Sequence, residues 1–188
     1  MVRDIRRSIV SLLVLTVLFG GVFPVAVWAV AQVAFKDRAD GSLIVRDGTV
    51  VGSSLLAQGF ASPKYFQPRP SAVDYNASGS GASNLGPNSA DLAAAVEDRI
   101  AAVATADGIA AGSVPVDLVT TSGSGLDPDV SRDGALVQVD RVAKARGLDP
   151  QAVRALVLSR LQSPTLGLLG TTRVNVLELN LALDRLQP

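Results

Sequence analysis

Cysteine and histidine are both absent from the 188 residues, and only 4% are aromatic. Without thiols there is no disulfide framework, no thiol nucleophile and no cysteine-based zinc site. Without imidazole, Ser-His-Asp hydrolysis, HExxH metalloprotease chemistry and the usual imidazole proton shuttle are excluded. Lack of cysteine is compatible with an oxidising exterior but does not fix the compartment. An excess of charge of one sign is missing as well, with 17 basic residues against 17 acidic. That balance offers no electrostatic case for a nucleic-acid partner. Apolar residues make up 48%, so with few aromatics the core must be packed by alanine, valine and leucine.

A long apolar run is present at the start. Ser8 to Phe35 is 28 residues without a formal charge. As a helix it would extend about 42 Å, against about 30 Å for a bilayer's hydrocarbon core. Arg3, Arg6 and Arg7 precede it, while Lys36 and Arg38 follow it beside Asp37 and Asp40. Three basic residues against two point to a cytoplasmic N-terminus for residues 1–7, a transmembrane helix over 8–35 and residues 36–188 outside. Trp28 and Phe35 suit the outer interface. Pro24 removes a backbone hydrogen bond within the span, a loss that neighbouring helices often make good. The rival reading is a cleaved signal peptide, with a basic n-region, an h-region over Ile9–Phe23 and a cleavage site near Ala29-Val30-Ala31. The apolar run continues to Phe35, past that site. In either case the rest of the chain ends outside.

From Lys36 onward 14 basic residues face 16 acidic, and the segment reads as one α+β domain. Ser42–Val45 and Val50-Val51 flank Asp47-Gly48, the signature of a type I′ hairpin. Residues 55–88 read as a long loop, with Pro63, Pro68, Pro70 and Pro87 and a polar tract over 78–84. A loop of that length is uncommon unless it has a task or is pinned by a partner; the alternative is an irregular surface loop or linker. Leu92, Val96, Ile100 and Val103 recur at helical spacing and predict a core-facing helix over 90–106, capped by Ser89. Val116, Leu118 and Thr120 predict a strand over 114–121. A helix is expected over 132–146, ended by Gly147, and a third from Asp149-Pro150 to about Leu161. Residues 174–186 suit either a strand or a helix capped by Asn175, and composition favours the helix.

Few motifs carry chemistry. No GxxxxGK[ST], no GxGxxG and no phosphorylatable Asp-Lys-Thr-Gly occurs, so the chain is not a pump's catalytic subunit. The Gly/Ser turn Ser122–Gly125 can present N–H groups to an anion, or be an ordinary tight turn. Asp129, Ser131, Asp133, Gly134 and Asp140 fit calcium-loop positions. Position twelve is Asp rather than Glu, however, and no helix enters the loop. The plain alternative is a helix N-terminus rich in Asp and Ser. Asp127, Asp129 and Asp133 as a glycosidase pair find no further support. Tyr65, Phe66 and Tyr75 crowd the proline-rich loop with Arg69. They suit an interface, or supply the aromatic part of the domain's own core.

An ordered set of stretches carries a family resemblance: Gly41–Ile44, Gln58–Phe60, Tyr65–Ala72, Tyr75-Asn76, Ser83–Pro87, Thr120–Pro128, Arg141–Arg146 and Val174–Asp184. Behind one N-terminal span, in this order, they resemble the C subunit of the bacterial Kdp potassium-transporting P-type ATPase. The resemblance covers nearly the whole chain and favours a retained anchor. It implies a non-catalytic accessory subunit in the bacterial inner membrane. Its implied partners are a channel-like potassium-binding subunit, a P-type ATPase subunit and a small single-span subunit. It further implies help in assembly and a raised ATP affinity of the pump subunit, a catalytic-chaperone role. Nucleotide contact, with ATP as the suspected ligand, would fall on Ser122, Gly123, Ser124, Gly125 and Gln138. That contact conflicts with the topology, because an exterior domain cannot touch cytosolic ATP. An assembly role is therefore expected over direct contact, with the exterior domain capping the entrance of the potassium-conducting subunit. The competing functions are a periplasmic or secreted binding protein released by signal cleavage, and a calcium-dependent adhesion module.

Overall fold

A computed structural model of the chain describes residues 1–186; the last two residues of the expected 36–188 domain lie outside the described residues. The chain divides into two compact units, Met1–Val51 and Gly52–Pro188.

The first unit is dominated by a continuous apolar helix, Val2–Ala34, 33 residues long. At 1.5 Å per residue it extends about 50 Å, long and apolar enough to cross a membrane. It starts one to two turns before Ser8, so Arg3, Arg6 and Arg7 belong to its first turns. It comprises α1 (Val2–Val17), a wider π turn (Leu18–Val22) and α2 (Phe23–Ala34). The π turn explains how Pro24 is tolerated. Proline has no N–H for the ladder, and its ring crowds the preceding turn. Here the N–H of Phe23 reaches back five residues to the Leu18 carbonyl, opening the turn ahead of the ring. No residue of this helix is buried. A one-turn helix follows, α3 (Lys36–Ala39), then β1 (Leu43–Arg46) and β2 (Thr49–Ser53). The expected hairpin is present: Asp47 (φ 51°) and Gly48 (φ 78°) both take the left-handed conformation of a type I′ turn.

The second unit holds the hydrophobic core. After the long loop come α4 (Ala90–Asp107), β3 (Asp129–Ser131), α5 (Arg132–Leu136), α6 (Val139–Arg146), α7 (Pro150–Ser159), β4 (Arg173–Asn175) and α8 (Val176–Leu183). β3 and β4 pair antiparallel, with Val130 opposite Val174. Local chemistry sets the helix ends. Ser89 accepts from the Leu92 N–H (3.4 Å), Asp149 from Gln151 (3.0 Å) and Asn175 from Glu178 (3.0 Å). Gly108 and Gly147 close α4 and α6 in the left-handed conformation. Each such cap contributes about 1 kcal/mol. Valines, leucines and alanines from α5 to α8 and the β3–β4 ribbon form the core, with Phe66 as the one fully buried aromatic among the described residues.

Two expectations are corrected. The strand over 114–121 is replaced by a 3₁₀ turn, Val116–Leu118, with another, Ala111–Ser113, just ahead of it. On a strand Val116 and Leu118 would share a face, yet Val116 is 70% exposed and Leu118 only 5%. The Val116 carbonyl instead collects the N–H and the hydroxyl of Thr120, and Asp117 leaves the alternation to accept two bonds from Ser131. The helix over 132–146 is broken into α5 and α6. At the break the Gln138 side-chain amide occupies the Gly134 carbonyl (2.9 Å) and its own N–H turns to Ala135. In the 174–186 segment the favoured helix capped by Asn175 is present as α8, with β4 ending at Asn175 ahead of it. The stripe on α4 is on the expected face but only half-buried, and α4 has no buried residue.

Candidate functional site

The long loop has no helix or strand of its own, yet its middle is inside the domain. Two side-chain amides hold it by its backbone. Asn180 on α8 accepts from the Phe66 N–H (2.9 Å) and donates to the Phe66 carbonyl (3.0 Å). Gln138, at the α5–α6 break, does the same for Gln67, at 2.7 and 3.1 Å. Each amide imitates a β partner, satisfying both polar groups of one residue. Phe66, drawn in by this clamp, fills the core.

Arg141, one turn after Gln138, completes the arrangement. Its guanidinium donates to Asp107 at the end of α4 (2.6 Å), to the carbonyls of Pro63 (2.8 Å) and Tyr65 (3.0 Å), and to the Gln138 amide oxygen (2.7 Å). The pair is largely buried, with side chains 11% and 5% exposed. Four groups are thereby fixed by one planar cation, which suits arginine and not lysine. Around this hub lies a cavity of about 330 Å³, walled mainly by apolar atoms of Pro63, Pro68, Ala102, Val103 and Leu118, with Gln138 and Arg141 among its polar groups. Arg146 adds a second tie, donating to the Lys64 carbonyl (2.7 Å), pairing with Asp184 (2.8 Å) and standing 4.7 Å over the Tyr65 ring.

The Gly/Ser turn is packed against the other half of the loop. Ser122 is buried and its hydroxyl accepts from the Gly125 N–H (2.8 Å); Ser124 accepts from Leu126 (3.1 Å). The Ser124 carbonyl takes Gly81 and Ser80, and the Gly125 carbonyl takes the Ser71 hydroxyl (2.7 Å). Gly125 sits at φ +68°, and a Cβ there would lie 2.6 Å from Val73 and 2.9 Å from the Gly81 carbonyl, so only glycine fits. Arg69 flanks the turn, paired with Asp127 (3.1 Å). Tyr75 donates to the Arg69 carbonyl (2.9 Å), and burial raises its phenol above the ordinary value. Among the described residues only the N–H groups of Gly123 and Ser124 remain unbonded in this turn, and no hydrogen bond joins Gln138 to it.

With that geometry in place, comparison with known proteins is decisive. The family model described as "K+-transporting ATPase, c chain" matches residues 5–185. A Cereibacter sphaeroides (strain KD131) protein named "Potassium-transporting ATPase KdpC subunit" is 53% identical over 184 residues, 98% of each chain. Proteins of the same name from Rhodopseudomonas palustris (strain TIE-1) and Variovorax paradoxus (strain S110) are 48% and 54% identical. The first covers all of both chains, the second 96% of this chain and 95% of its own.

The chain belongs to the KdpC family.

In this KdpC-family chain, the aromatics of the loop divide as the structure requires. Phe66 belongs to the core, Tyr65 stacks near Phe60 with ring centroids 5.4 Å apart, and Tyr75 ties the loop to itself. The acidic run at 129–133 is built otherwise than a calcium loop. Asp129 lies in β3 and pairs with Arg173 (2.9 Å), and Ser131 caps α5 through the Gly134 N–H. Among the described residues no three acidic groups gather as metal ligands. Arg141, Asn180 and Asp107 were not legible as a set. The available signal was the Gln138-x-x-Arg141 spacing, which puts both side chains on one helical face.

Proposed function

We propose that the chain is a non-catalytic accessory subunit of a potassium-importing P-type ATPase complex in the bacterial inner membrane. Residues 8–35 anchor it, the N-terminus is cytoplasmic and the domain lies on the outer face. Its partners are the channel-like potassium-binding subunit, the ATPase subunit and the small single-span subunit. One observation carries the reading: the family match runs through the apolar helix as well as the domain, so the helix belongs to what these proteins share. The excess of arginine before the span supports the orientation. The π turn and Gly20-Gly21 support helix–helix contact in the bilayer, since small residues let backbones approach.

The domain stabilises the assembled pump and caps the approach to the potassium-conducting subunit, and the pump's ATP affinity rises through assembly. An indirect route is supported by the use already made of the residues that resemblance assigns to ATP. Gln138 has two donor and two acceptor sites, and all four are engaged within the domain. The Gly/Ser turn keeps two free N–H groups, fewer than a phosphate cradle uses. A pull-down from membranes through a tag on this chain is expected to bring down potassium-stimulated ATPase activity. Elution of the chain alone refutes the assignment. Labelling Ser124→Cys from each side of sealed vesicles tests the orientation, and cytoplasmic labelling reverses it.

A further inference from the structure

The loop over 163–172 combines an uncharged sequence with three exposed leucines. Its ten residues carry no charge, and Leu166, Leu168 and Leu169 are 87%, 86% and 63% exposed. The loop is built to hold them there. Gln162 and Arg173 exchange both backbone hydrogen bonds, at 2.8 and 3.1 Å. Beyond them Thr165 pairs with Leu169 (2.9 Å), and the Gly167 N–H returns to the Pro164 carbonyl. Leu166 is left-handed at φ +55°, followed by Gly167 at +74°, an uncommon conformation for a branched side chain. The tip is a closed turn that carries its leucines on the outside.

The segment itself carries charge of one sign. From Pro150 to Leu177 there is no acidic residue, while Arg154, Arg160 and Arg173 occur, Arg173 being paired with Asp129 across the ribbon. Arg160 is exposed, and its guanidinium makes no hydrogen bond or ion pair among the described residues. Three leucines at a tip offer a patch on the order of a few hundred Å², below the roughly 1,000 Å² of a stable protein interface. Leucines with exposed Arg154 and Arg160 in the preceding helix and turn match a bilayer surface instead, where apolar side chains reach the acyl boundary and arginines meet phosphates. Such a surface is within reach. The apolar helix ends at Ala34 and the second unit begins at Gly52, and the residues between span at most about 60 Å even when fully extended.

We infer that this loop is a second membrane contact, with Leu166, Leu168 and Leu169 dipping into the interface of an anionic bilayer and Arg160 beside them at the headgroups. The absence of cysteine makes the test clean. The full chain is reconstituted into vesicles of phosphatidylethanolamine and phosphatidylglycerol, with an environment-sensitive nitrobenzoxadiazole dye on Leu168→Cys. A control carries the dye on Asp91→Cys in the exposed first turn of α4. Expected is a blue-shifted emission at position 168, quenched severalfold more strongly by shallow spin-labelled lipids than at 91. Adding Arg160→Glu should reduce that quenching. Equal, water-like emission at both positions overturns the inference. So does burial of the 168 dye only when other pump subunits are added, which marks a protein interface. No pump subunit is present in the first assay, so its outcome is separate from that of the membrane pull-down. The loop leucines are outside the core, so Leu166→Ser/Leu168→Ser/Leu169→Ser should keep the circular dichroism spectrum while losing lipid-dependent protection of the loop from proteolysis.

Discussion

The helix over 2–34 and the domain from 52 onward are both rich in alanine, valine and leucine, yet they dispose of them oppositely. The helix buries none of its side chains. The domain closes a core cluster with thirteen of its described residues, nearly all small or medium-sized. The difference lies in what interrupts the apolar residues. Uninterrupted, they satisfy their backbone within one helix and present a surface that only lipid or another helix can cover. Interrupted by caps, turns and a few amides, they fold back on one another. Polar residues thus decide where greasy ones end up.

That contrast can be broken from either side. The largest loss should come from Phe66→Ala, which empties the one fully buried aromatic site among the described residues. A destabilisation of about 3–5 kcal/mol is expected, read as a lower urea midpoint of the full chain in mild detergent. Leu15→Arg, well inside the apolar helix, should cost about 3 kcal/mol of insertion while leaving the domain's midpoint unchanged. Alkaline extraction of membranes measures the first effect. Gln138→Ala strands the Gln67 N–H and loosens Arg141, and about 2–3 kcal/mol is expected. The same variant should leave the pump's nucleotide affinity unaltered wherever the complex still assembles. A fall in ATP affinity with unchanged assembly would restore direct contact by Gln138.

The smallest effect is electrostatic. Burial raises the Asp129 carboxyl above its ordinary value, outweighing the opposing pull of Arg173. The folded state therefore holds this proton more tightly than the unfolded chain. Its contribution to stability grows as pH falls through the folded value towards the unfolded one, and is lost again as pH rises. Asp129→Asn should flatten that part of the stability–pH curve, as measured by thermal melts across the acid range.

Legibility in the sequence followed the range of the interactions. Asp47-Gly48, Ser89, Asp149-Pro150, Gly147 and Asn175 act on residues within four positions, and each was readable. The 114–121 and 132–146 segments were misread because the deciding partners are distant. Asp117 is committed to Ser131, fourteen residues on. Gln138 answers to Gln67, seventy-one residues earlier. The composition of the 55–88 loop showed that it is irregular, not that Asn180 and Gln138 would hold it inside. The Gly/Ser turn was placed correctly as a turn, but its packing against 71–81 depends on contacts no local pattern encodes.

The clamp at Phe66 and Gln67 grips main-chain atoms, which every amino acid supplies. Position 67 is therefore free to drift through any side chain that leaves its N–H intact, and closed to proline alone. The constraint falls on the holders at 138 and 180, where shortening or lengthening by one methylene misses both atoms at once. Variation should be correspondingly lopsided, permissive at 67 and strict at the buried Phe66 and at the two amides that hold the pair.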